Sequence, residues 1–153
     1  MKILVTGATG FVGKTLLPLL AEKGHEIIVL TRDINSAQVR VPVVCKIIEW
    51  DPAKPLSHIE DNIDIVINLC GENVASGRWT SKRKQAIYNS RILATRNLIH
   101  YFQKTSHPIK VWISASAIGI YGNSIVSDES APSGQGFLAK TCKDWEEETF
   151  KAR

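Results

Sequence analysis

The stretch Thr6 to Gly13 reads TGATGFVG, and Gly7, Gly10 and Gly13 have the spacing that lets a backbone cradle a phosphate. Glycine at position 7 permits a tight turn. At position 10 it lets the chain approach a pyrophosphate with no Cβ in the way, and at position 13 it lets a helix pack closely on a strand. An anion held there would meet free amide N–H groups at a helix N-terminus, along Thr9, Gly10, Phe11, Val12 and Gly13. A glycine turn can be purely structural, but here a strand precedes the motif and a helix follows it, which favours nucleotide binding.

Two further strand ends carry candidate chemistry. In VLTRD, Arg32 comes first and Asp33 next. An acidic residue at this place bonds a ribose 2′-hydroxyl, whereas an arginine fork suits a 2′-phosphate, so NADP is favoured over NAD. The alternative leaves Arg32 solvated and has Asp33 start the following turn. In NLCGEN, Asn68 and Gly71 would set a polar group and a close backbone approach beside the ligand, unless Asn68 simply forms the turn.

The elements that must position these residues are legible in the hydropathy pattern. KILVTG, EIIVLTR, VVCKIIEWD, IDIVINLCG and KVWISAS read as strands, the fourth almost uninterrupted in its apolar character. FVGKTLLPLLAEKGH reads as a helix with Val12, Leu16, Leu19 and Leu20 at helical spacing and Gly24 as its stop. Pro18 inside it should kink the helix or cap a short first turn. A long helix is expected from Ser81 to Gln103, where Ile87, Leu93, Asn97, Leu98 and Phe102 give an imperfect stripe that Ala86, Ile92, Ala94 and Ile99 widen, and another over GFLAKTCKDWEEETFKAR. Buried strands alternating with helices imply an α/β fold: a Rossmann-type, doubly wound parallel sheet in strand order 3-2-1-4-5. That fold wants a further strand, so the sheet is expected to be truncated before its last strand or strands.

Bulk properties exclude several classes. The chain has 153 residues, 44% hydrophobic and 22% charged, enough for one domain with a core. Its formal net charge of +4 is modest, and the run Lys82, Arg83, Lys84 reads as a solvated helix face, so no nucleic-acid partner is expected. Cys45, Cys70 and Cys142 show no metal spacing, so no metal is expected and the thiols should be reduced. No apolar run has the length of a signal peptide or membrane span, so no membrane partner is expected, and the location should be cytoplasmic.

TGATGFVG resembles the extended short-chain dehydrogenase/reductase superfamily, which includes nucleoside-diphosphate-sugar epimerases and dehydratases. INLCGENVASGRWTSKRKQAIYNSRILATRNLI, ISASAIGIYG and FLAKTCKDWE are similar to an atypical subgroup of NAD-dependent epimerase/dehydratase-like chains, the epimerase family proteins. The resemblance covers essentially the whole chain. Members are longer, so it implies that residues 1–153 are an incomplete NADP-binding domain, with the substrate-binding region absent. It implies NADP on Gly7, Gly10, Gly13 and Arg32, with contacts from Leu69, Cys70 and Gly71 and from the end of the fifth strand. There the family's catalytic hydroxyl matches Ser116, with Ser114 as the alternative, ahead of the pair Tyr121-Gly122. The implied substrate is a small nucleotide-sugar-like molecule, and a homodimer is compatible.

The sequence departs from the family at one point. Extended members carry Tyr-x-x-x-Lys at the start of the next helix, the tyrosine moving a proton and the lysine lowering its pKa and holding the nicotinamide ribose. Here Phe137 is expected at the tyrosine's place, while Lys140 and Lys143 are displaced by one or two positions yet could reach the ribose. Tyr121 is the substitute acid/base candidate, ahead of Tyr88 and Glu72. Arg78 and Trp79 could supply an arginine and a stacking surface, or Trp79 could anchor its loop. Two functions stay open: an NADP-dependent epimerase or oxidoreductase, and an NADP(H)-binding regulatory or assembly protein with little turnover.

Overall fold

The computed structural model describes residues 1–121 and 127–152, so the expected Gly122 and the expected helix terminus at Arg153 lie outside the described residues. Strands β1 (Lys2–Thr6), β2 (Glu26–Thr31), β3 (Lys46–Glu49), β4 (Ile65–Asn68) and β5 (Val111–Ser114) alternate with helices α1 (Phe11–Glu22), α2 (Ile34–Arg40), α3 (Ser81–Phe102) and α4 (Phe137–Phe150). All strand pairs are parallel, in the order β3-β2-β1-β4-β5 that the right-handed crossover rule implies. The register sets Val5 beside both Val29 and Ile67, and Ile67 beside Ile113.

Alternation along the strands feeds two cores. Leu4, Ile28, Leu30 and Val66 point to one face, where Ala94, Leu98 and Phe102 of α3 cover them. Ile3, Val5, Ile27, Val29 and Ile67 point to the other, against Leu17 of α1 and Ala37 of α2. Strands buried on both faces need no polar alternation, which is why they read as apolar runs. On the α1 side, Val111 and Ile113 of β5 stay exposed, at 43% and 48%.

Several local details differ from expectation. In α1 the buried residues are Gly13 and Leu17, while Val12 and Leu19 are exposed. The helix is rotated because Gly13 must lie against Ala8, a contact stronger than the hydropathy of its neighbours. The helix runs unbroken through Pro18, where Pro18 and Lys14 both face solvent, so water can bond the carbonyl that proline leaves without a donor. Gly24 ends α1 in left-handed backbone, with its own N–H on Ala21 O and that of His25 on Leu20 O. Helix α2 has no sequence periodicity to announce it; Asp33 starts it by accepting Ser36 N–H at 2.9 Å. Among the described residues, no helix is long and apolar enough to cross a membrane.

Candidate active site: a dinucleotide cleft at the carboxyl ends of the strands

Gly7 turns out of β1 with φ of 69°, and a Cβ there would sit 2.6 Å from the carbonyl carbon and oxygen of Leu69. The loop after β1 and the loop after β4 therefore touch backbone to backbone. Gly10 N–H bonds Gly7 O at 3.0 Å and closes the turn. Gly13 lies so close to Ala8 that a Cβ would meet its Cα at 2.6 Å. No side chain caps α1 at Gly10, whereas Asp33 caps α2 and Thr80 caps α3. The first turn of α1 thus offers uncapped N–H groups beside a Cβ-free loop, which fits a pyrophosphate.

Thr6 Oγ1 locks the two loops together. It donates to Asn68 Oδ1 at 2.7 Å and accepts from Leu69 N–H and Cys70 N–H, both at 3.2 Å. Asn68 is fully buried and its amide donates to Thr95 Oγ1 at 2.9 Å, which also accepts the Trp145 indole N–H at 3.0 Å. Asn68 is therefore neither a cofactor contact nor a turn former; it ties the strand ends to α3 and α4.

The loops open a cleft of about 390 Å³ that runs from Thr6–Gly10 past Thr31 and Arg32 to Trp50–Ala53, with Leu69–Glu72 and one face of α3 as its other wall. Arg32 stands at the rim with its side chain 68% exposed. Asp33 is occupied as the cap of α2. Glu72 receives Arg83 Nη1 at 2.9 Å and has Arg32 Nη2 at 3.8 Å. Arg91 donates to the carbonyls of Glu72 and Ile87, and its guanidinium lies where a Cβ on Gly71 would sit.

Of the expected cofactor residues, Gly7, Thr9, Gly10, Arg32, Leu69, Cys70 and Gly71 line this cleft. Phe11 and Val12 turn their side chains outward, at 91% and 57% exposure, and Gly13 is a packing residue, so these three can meet an anion only through backbone N–H groups. Ser114, Ser116, Tyr121 and Lys140 lie outside the cleft lining. Ser114 accepts the Trp112 indole N–H at 3.1 Å, and Tyr121 ends a short helical turn, Ile118–Tyr121. The exposed Ser116 donates to Glu146 of α4.

The start of the helix after β5, where the family's tyrosine is expected, splits its side chains between two sets of contacts. Phe137 sets its ring edge-on to Trp79 at 5.8 Å with Lys84 Nζ 5.7 Å from its centre. Trp79 anchors its own loop by donating to Val74 O at 2.8 Å. Leu138 and Cys142, four residues apart, instead face Gly119, with Glu146 one turn further on. Lys140 pairs with Asp144 at 2.6 Å on the exposed side of α4, and the Tyr88 hydroxyl donates to the same carboxylate at 2.7 Å. That hydrogen bond, with burial, raises the Tyr88 pKa and holds its proton. Burial also pushes up the thiols of Cys45, Cys70 and Cys142, which keeps them protonated.

The sequence reading missed the Trp50–Ala53 wall and the contribution of Ala86, Asn89, Ser90 and Leu93 from α3. The wall had a signal, since it follows the carboxyl end of β3 and such ends line the crevice of parallel sheets. The α3 face was not singled out, because Ala86 and Leu93 read as part of the helix's apolar stripe.

The sequence model of the NAD dependent epimerase/dehydratase family matches residues 3–142. Epimerase family protein YfhF of Bacillus subtilis is 38% identical over 156 residues, covering 97% of this chain and 49% of that protein. The crystal structure of human epimerase family protein SDR39U1 with NADPH aligns with a TM-score of 0.78 at 29% identity, over 97% of this chain and 48% of that one. A UDP-galactose 4-epimerase structure shares the fold, with a TM-score of 0.81 at 21% identity over 95% of this chain and 49% of that one. The chain spans about half the length of the curated relatives it matches. With its parallel sheet, glycine turn and cleft in place, this chain belongs to the NAD dependent epimerase/dehydratase family.

Proposed function

We propose that residues 1–153 are the dinucleotide-binding part of an NADP(H)-dependent oxidoreductase or epimerase acting on a nucleotide-sugar-like substrate. The observation that carries the cofactor choice is the pair Arg32 and Asp33. Arg32 stands at the cleft rim with an exposed fork, while the acid that would bond a ribose diol is engaged in capping α2. The human relative named with NADPH supports the same reading. Backbone N–H groups of the first turn of α1 would hold the pyrophosphate, Arg32 the 2′-phosphate, and Leu69–Gly71 the ribose side. When bound, the nicotinamide supplies a hydride acceptor or donor. Ser116 would orient a substrate oxygen, and Glu146 is placed to accept the Ser116 proton. Lys140, paired with Asp144 on the exposed side of α4, is given no role in this reading.

A second reading, an NADP(H)-binding protein with little turnover, is favoured by the Leu138 and Cys142 stripe, which offers neither a phenol nor an ammonium group. Titration of the full-length protein with NADPH and NADH, followed by nicotinamide fluorescence, tests the cofactor reading. NADPH should bind more tightly, and Arg32→Gln should weaken NADPH about 10-fold or more while changing NADH little, as expected for a charge-assisted phosphate contact. Equal affinities in the wild type would overturn it.

A further inference from the structure

We infer that Glu72 is a specificity-determining residue of the cleft, a carboxylate that competes with the 2′-phosphate for Arg32 and so limits the preference for NADP over NAD. The inference rests on the NADP reading of Arg32 and deepens it. Glu72 lies just past β4, far from Arg32 in sequence, and the parallel pairing of β1 with β2 and β4 brings the loops after β2 and β4 to one rim. Its two oxygens are used unequally. Oε1 takes the Arg83 Nη1 hydrogen bond at 2.9 Å, whereas Oε2 faces Arg32 Nη2 at 3.8 Å, an ion pair without a hydrogen bond.

Arg83 keeps Glu72 in place. Its side chain is 19% exposed, and its Nη2 also reaches Asn73 O and Ser76 Oγ, so the guanidinium is clamped among three acceptors. Glu72 N–H is held by Ser90 Oγ at 2.9 Å and its carbonyl by Arg91 at 3.1 Å. A carboxylate fixed at backbone and side chain cannot swing aside when a ligand arrives. A 2′-phosphate seated on Arg32 brings its charge beside Glu72 Oε2, and the repulsion subtracts from the attraction of the arginine. A bare ribose brings no such charge and can donate its 2′-hydroxyl to the same oxygen. Glu72 therefore opposes Arg32 in the choice between the two cofactors.

The test compares Glu72→Gln with the wild type in the full-length protein, titrated with NADPH and NADH at low and moderate ionic strength, with circular dichroism to verify folding. Glutamine keeps an oxygen for Arg83 and removes the charge. The ratio of NADPH to NADH affinity should rise about 5- to 10-fold at low salt, and the gain should shrink as salt screens the contact. Should Glu72→Gln fail to fold, Glu72→Asp withdraws the carboxylate by one methylene and should move the ratio in the same direction by less. A ratio that stays unchanged or falls overturns the inference, even if the wild type prefers NADPH and the Arg32 reading stands. A wild type without preference that gains one for NADPH on Glu72→Gln would overturn NADP as the preferred cofactor of the wild type while keeping Glu72 as the residue that offsets Arg32.

Discussion

Gly7 and Gly24 have nearly the same backbone, with φ of 69° and 73°, yet the structure assigns them different costs of substitution. A Cβ on Gly24 meets nothing within 4 Å, while one on Gly7 runs into the Leu69 carbonyl at 2.6 Å. Gly24→Ala should therefore cost only the left-handed backbone penalty, about 1–2 kcal/mol. Gly7→Ala adds a backbone clash between two fixed loops, so it should cost clearly more and also abolish NADPH binding. Urea unfolding midpoints of the two variants, with a nucleotide titration, check this; equal midpoints would show that the loops can separate.

At the scale of elements, the cleft depends on a buried polar chain from Thr6 through Asn68 and Thr95 to Trp145. It couples the ends of β1 and β4 to α3 and α4, which a second tie joins where Arg96 grips Glu148 through both oxygens at 3.1 and 3.0 Å. Burial pushes the Glu148 carboxyl up, but the hydrogen bonds from Arg96 and Lys151 outweigh it and leave the group below its ordinary value. Thr95→Val keeps the shape and removes the acceptor shared by Asn68 Nδ2 and Trp145 Nε1. Each stranded donor should cost about 1–3 kcal/mol. Adding Trp145→Phe removes one of those donors, so the double variant should lose less than the sum of the singles in urea unfolding. Strict additivity would show that the chain is not coupled. The sequence reading left Asn68 undecided, because which residue lies opposite Asn68 depends on how α3 is rotated about its axis.

For the molecule as a whole, charge is arranged differently at the two ends of the sheet. The carboxyl end carries the cleft, and the amino end carries ion pairs that hold the strand starts together. Asp64 accepts from Lys110 Nζ at 2.6 Å and from Lys2 N–H at 2.9 Å, and its pKa falls from the ordinary 3.8 to about 2. The Lys110 hydrogen bond is the largest cause and the Lys2 N–H the next, with His107 adding to them. Since the folded-state pKa is depressed, the native state binds fewer protons than the unfolded chain in this range. The stabilisation is therefore complete above about pH 4 and is lost as pH falls toward 2. Asp64→Asn should flatten the stability profile in that window and leave the NADPH to NADH ratio at neutral pH unchanged, because Asp64 lies at the opposite end from Arg32. Urea unfolding from pH 5 to pH 2 measures the first effect; an unchanged slope would assign the acid sensitivity elsewhere.

The strand order, the glycine turn and the rim arginine were decided by the sequence alone. Each rests on short-range information: apolar runs of strand length, glycines at fixed spacing, one residue at a strand end. The tertiary structure alone decided which distant side chains meet. Glu72 reaches Arg32 and Arg83, Ser116 reaches Glu146, and Leu138 with Cys142 faces Gly119. These contacts join residues separated by up to 40 positions. They follow from parallel register and helix rotation, and hydropathy averaged along a helix does not resolve a turn of one residue.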